Sequence, residues 1–85
     1  MNTTQENQIV EHWEKKASLI LVGRKIKAVR YLYPKEAESL GWYGRSVVIE
    51  LDNGVLVWPS ADDEGNDAGA LFTTDKRVDT LPVIN

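Results

Sequence analysis

No cysteine occurs among the 85 residues, which excludes a disulfide framework, a thiolate zinc site and a thiol nucleophile. Histidine and methionine occur once each and proline three times. Apolar runs extend over only a few residues, far short of the roughly twenty that span a bilayer, so no membrane partner is expected. The first eight residues are polar and carry one acid and no base, unlike a secretory or transit signal. The cytoplasm is therefore the expected location. A chain of 9.6 kDa folds to roughly 5,000 Å² of surface against about 14,000 Å² unfolded. That leaves room for one domain, residues 1–85, with one modest core.

What is present is unevenly distributed charge. The net charge is −3, from 10 basic and 13 acidic side chains. Residues 1–14 hold three acids and no base, residues 15–45 eight bases against two acids, and residues 46–85 eight acids against two bases. Two readings follow. Either a basic face meets an acidic partner, or the two segments lie side by side in one sheet and neutralise each other.

Ile9, Val10, Trp13, Ala17 and Ile20 share a stripe at helical spacing, which predicts a helix over residues 4–20. Thr3 and Glu6 form a candidate capping box, and Gly23 offers a stop. Residues 24–33 are rich in β formers. Arg30 breaks the apolar alternation there, so either a bulge near Val29 turns Tyr31 or Tyr33 inward, or Arg30 sits on a sheet edge. Pro34 before Lys35–Leu40 and Gly41 after them predict a short second helix.

Asn53 and Gly54 lie between two β-rich segments and suit a two-residue type I′ hairpin. That turn pairs Asp52 with Val55, Leu51 with Leu56 and Ile49 with Trp58. It places Val47, Ile49, Leu51, Leu56 and Trp58 on the core face, with Val48, Glu50, Asp52, Val55 and Val57 outside. Residues 60–69 are turn formers and acids and read as a surface loop. Short strands are expected at 70–73 and within 78–84, where Pro82 confines the last to an edge or a strand end. The expected architecture is α+β: an N-terminal helix on a small, strongly twisted, mainly antiparallel sheet of four or five strands, spanning about 24–84. An SH3-like barrel is one form such a sheet can take.

The stretch Gly41-Trp42-Tyr43, the hairpin Val48-Ile49-Glu50-Leu51-Asp52-Asn53-Gly54, Pro59-Ser60 and the run Asp62-Asp63-Glu64-Gly65-Asn66-Asp67-Ala68-Gly69-Ala70-Leu71-Phe72 resemble a family of short bacterial proteins without assigned function. The resemblance leaves the first helix largely outside it. It implies a bacterial origin and brings no activity, ligand or catalytic residue with it.

Four functional readings compete. Asp62, Asp63, Glu64, Asn66 and Asp67 crowd oxygen ligands as a hard cation such as calcium requires, with Asp62, Asp63, Glu64 and Asp67 as candidate metal ligands. The EF-hand pattern fails, because a loop starting at Asp62 has Asp67 where glycine is needed and Thr73 where glutamate is needed. Weak calcium binding is thus the most that is expected, and no other cofactor. Residues 24–45 interleave Lys25, Lys27, Arg30, Lys35 and Arg45 with Tyr31, Tyr33, Trp42 and Tyr43, as single-strand binders do, but a pI near 5.0 disfavours nucleic acid. Enzymatic chemistry has the least support: no catalytic residue is expected, since His12, at the edge of the apolar stripe, has no cysteine or metal-ligand partner and Ser39, Ser46 and Ser60 lack a nucleophile-elbow context. A non-catalytic binding or accessory module asks for least. Its candidate binding residues are Trp42, Tyr43 and Arg45, with Trp42 as the contact ring or else as a lid over the hairpin. The partner is an unidentified protein, or a second copy joined through an edge strand.

Overall fold

A computed structural model describes residues 3–60 and 67–84. Its elements are α1 (Thr3–Leu21), β1 (Ile26–Tyr31), α2 (Pro34–Ser39), β2 (Val47–Leu51), β3 (Leu56–Pro59), β4 (Leu71–Thr73) and β5 (Thr80–Leu81). The strands form one antiparallel sheet in chain order, so the fold is α+β. The sheet is open, with β1 and β5 as its two edges, and does not close into a barrel.

α1 follows its apolar stripe. Ile20 is fully buried, Val10, Trp13 and Ala17 are half-buried, and Ile9 stays exposed. The helix ends where Gly23 takes φ +80° and the Arg24 N–H donates to the Leu21 carbonyl at 3.1 Å. It reaches the sheet at β5. The Thr3 and Glu6 side chains of the expected capping box lie outside the described part.

The hairpin lies where expected but its register does not. Ile49 pairs with Val57 and Glu50 with Leu56, while the Leu51 N–H donates to Val55 at 2.9 Å and the Gly54 N–H to Leu51 at 3.0 Å. The loop therefore has three residues, Asp52 to Gly54. Only Gly54 takes positive φ, at +87°, so Asn53 cannot belong to a type I′ turn. A type I turn closed by a left-handed glycine is the three-residue alternative, and the Asn53 Oδ1 accepts the Val55 N–H at 3.2 Å.

The shift of one residue corrects the allocation of inside and outside. With Cα partners on the same side, Val48, Glu50, Leu56 and Trp58 share one face and Val47, Ile49, Leu51 and Val57 the other. Both faces are buried in part: Val48 is 1% exposed, and Leu51 and Val57 are 5% exposed each. On the first face Val48 clusters with Leu32 and Ala37, and Trp42, Leu56 and Trp58 pack around them. The second face carries Leu51 and Val57. The expectation of a single buried face fails because buried residues stand on both: Ala37 of α2 packs on Val48 on the first, and Leu51 and Val57 are enclosed on the second.

In β1 the register slips between Ile26 and Ala28, so the bulge is at Lys27, two residues before the place considered. Neither tyrosine turns inward; Tyr31 and Tyr33 are both exposed, and Arg30 lies on the edge strand. At the other edge β5 ends before Pro82.

Candidate functional site

The candidate site starts at α2. Pro34 opens the helix, and the Tyr33 N–H just before it donates to the Glu36 carboxylate at 2.7 Å. The helix closes with Gly41 at φ +77°. The Gly41 N–H donates to Glu38 at 2.9 Å and the Trp42 N–H to Ala37 at 2.9 Å, the paired bonds of a Schellman closure. That closure fixes where the chain leaves the helix and turns the Trp42 side chain back onto Ala37 and the core. Trp42 stacks on Phe72 with centroids 6.2 Å apart, and Phe72 meets Trp58 at 5.9 Å. Trp42 is half-buried. The next residue, Tyr43, has its ring wholly in solvent at 108% exposure.

Pro34, Ala37, Glu38, Gly41, Trp42, Tyr43 and Arg45 line one open cleft of about 390 Å³. The three residues singled out for binding thus meet in one place. Trp42 supplies a fixed wall rather than a free ring, and Tyr43 is the exposed aromatic. Arg45 is anchored by its Nε, which donates to the Leu32 carbonyl at 2.6 Å. Among the described residues neither Glu38 nor Arg45 forms an ion pair, so the cleft presents one charge of each sign.

Three other bases of the segment, Arg24, Lys27 and Arg30, are paired with acids. The Arg30 guanidinium grips Glu36 with two bonds, at 2.8 and 3.1 Å, and lies 4.2 Å from the Tyr33 ring centre. The side-chain bond from Arg30, helped by the Tyr33 N–H, holds the Glu36 carboxyl below its usual range, and Glu36 in turn raises Arg30. Arg24 meets Asp52 at 3.5 Å and Lys27 meets Glu50 at 3.8 Å. Basic β1 and the acidic hairpin lie side by side, the arrangement set against a basic face in the charge reading.

Of the candidate metal ligands, Asp62, Asp63 and Glu64 fall outside the described residues. Asp67 spends Oδ1 on the Ala68 N–H at 2.7 Å. Among the described residues no three of His, Asp and Glu converge as a metal would require. His12 is exposed, with its ring edge-on to Trp13 at 5.0 Å. The Ser39 hydroxyl donates to the Lys35 carbonyl at 2.9 Å and the Ser60 hydroxyl to the Ala70 carbonyl at 2.7 Å.

Sequence reading missed a second ionic cluster, in the turn after β4. Asp75 is only 6% exposed. It accepts the Arg77 backbone N–H at 2.9 Å and Arg77 Nε and Nη2 at 3.0 and 2.7 Å, while its own N–H donates to Thr73 Oγ1 at 2.7 Å. The Arg77 bonds, side chain first and then backbone, hold the Asp75 carboxyl down to about 2. The spacing Thr73-x-Asp75-x-Arg77 was the available signal, because Asp favours turns in which it bonds the N–H two residues on.

Compared with known proteins, the chain shows no significant match to a family model, to a curated protein or to a solved structure. Among the described residues no helix is long and apolar enough to cross a membrane.

Proposed function

We propose that this chain is a small non-catalytic binding module that takes its partner, a protein segment, in the cleft between α2 and the Trp42–Arg45 turn. The observation that carries this reading is Tyr43. A fully exposed aromatic ring costs solvation and contributes nothing to the core, yet here it stands beside a rigid aromatic wall at a fixed helix exit. Exposed aromatics next to preformed concave surfaces are characteristic anchors of recognition. Glu38 and Arg45 supply polar groups of both signs to orient a peptide. The reading places the protein in the cytoplasm of a bacterium, supported by the resemblance of the 41–72 stretch to short bacterial proteins of unassigned function.

Selection of a random peptide library on the immobilised chain tests the proposal. Enriched peptides should share a motif, perturb the amide resonances of residues 37–45 and lose binding to Tyr43→Ala. No enrichment, or equal binding to the variant, refutes it. No observation favours cation binding or nucleic-acid binding over this reading.

A further inference from the structure

The hydrogen-bonding groups around the cleft are unequal in kind. At the end of α2 the carbonyls of Lys35, Glu36, Ala37 and Glu38 are all occupied, by the Ser39 hydroxyl at 2.9 Å and by the N–H groups of Leu40 at 3.2 Å, Trp42 at 2.9 Å and Gly41 at 2.9 Å. The Leu32 carbonyl is taken by Arg45 Nε at 2.6 Å. What remains to meet a ligand is mainly donors: the terminal guanidinium N–H groups of Arg45 and the Tyr43 hydroxyl. The charged acceptor is Glu38, whose carboxylate forms no ion pair among the described residues.

The walls are flat rings. Pro34, Trp42 and Tyr43 all line the cleft, Trp42 is held by its stack on Phe72 at 6.2 Å, and the Tyr43 ring stands in solvent. The lining comes from a helix and the turn after it, so a peptide finds no strand edge there to extend. A segment with few N–H groups and accessible carbonyls matches this inventory. Proline brings no N–H, and the polyproline II helix leaves its carbonyls without internal partners, free for Arg45 and Tyr43. Its rings pack on aromatic walls, and its shape exists before binding, which lowers the ordering cost. Charge complementarity adds a basic neighbour, because Glu38 lacks a cation.

We propose, on the reading of this cleft as a peptide site, that its ligand is a proline-rich segment in the polyproline II conformation flanked by a basic residue. Proline rings stack against Trp42 and Tyr43, and the base pairs with Glu38.

Titration of the full chain with an oligoproline peptide ending in one arginine, followed by amide resonances, tests it. Residues 37–45 should shift, whereas a glycine-serine peptide ending in the same arginine should leave them unmoved. Tyr43→Ala should weaken oligoproline binding roughly thirtyfold or more. Glutamate in place of the peptide's arginine should weaken binding roughly fivefold, and Glu38→Gln should remove most of that difference. No shift with oligoproline, binding that survives Tyr43→Ala, or a preference for arginine that survives Glu38→Gln overturns the proposal. If oligoproline fails while proline-free peptides from the library bind through Tyr43, the proline inference falls and the cleft remains a peptide site; if no peptide of either kind binds, both fall.

Discussion

At Asp75 burial and ionisation meet. A carboxylate enclosed in a turn is stable as an anion only because Arg77 bonds it twice through its side chain and once through its backbone. Its carboxyl sits at about 2, against an ordinary 3.8. The folded value is the lower one, so this group's contribution to stability is complete above the ordinary value and is lost as pH falls toward about 2. Thermal melts from about pH 5 to about pH 2 should show the parent losing more stability than Asp75→Asn, whose turn does not titrate. Gly41 is a second decisive residue. Its φ of +77° has open space around the missing Cβ, so Gly41→Ala suffers only backbone strain. The expected loss is about 1–2 kcal/mol, read from urea midpoints, together with a change in Trp fluorescence as Trp42 loosens.

The elements differ in how far their sequences specify them. α1 and α2 are legible because stripe, proline and glycine are local signals that agree. The hairpin's position is legible and its register is not. Asn53-Gly54 suits both a two-residue turn with two positive φ angles and a three-residue turn with one. What decides between them is the burial of Val48 and Val57 on opposite faces, which depends on packing between segments distant in the chain. Gly54 at φ +87° is the residue the observed turn requires. Gly54→Ala should cost roughly 1–2 kcal/mol, whereas Asn53→Asp, which keeps the side-chain acceptor for Val55, should change stability by less than about 0.5 kcal/mol. Equal losses at the two positions in chemical denaturation would contradict this account of the turn.

For the whole molecule, the consequence of the register is a sheet with apolar residues on both faces, one closed by α2 and Trp42 and the other closed at Leu51 and Val57 but open at Ile26, Val29 and Tyr31. A charge therefore has opposite effects on neighbouring strands. Val48→Asp places an unpaired carboxylate in the core and should cost more than about 3 kcal/mol, while Val29→Asp should leave stability nearly unchanged in the same urea titration. The convergence of Trp42, Tyr43 and Arg45 was half legible. Their closeness in sequence suggested one surface, but which ring faces solvent depends on the Schellman closure and on Phe72, a partner 30 positions away.

Tyr43→Ala, measured for folding and for capture of library-selected peptides, tests the assignment of the cleft most directly. Thermal stability should stay within about 0.5 kcal/mol of the parent while peptide capture disappears. A destabilised variant, or one that still captures the same peptides, would show that the ring serves the fold or that recognition lies elsewhere.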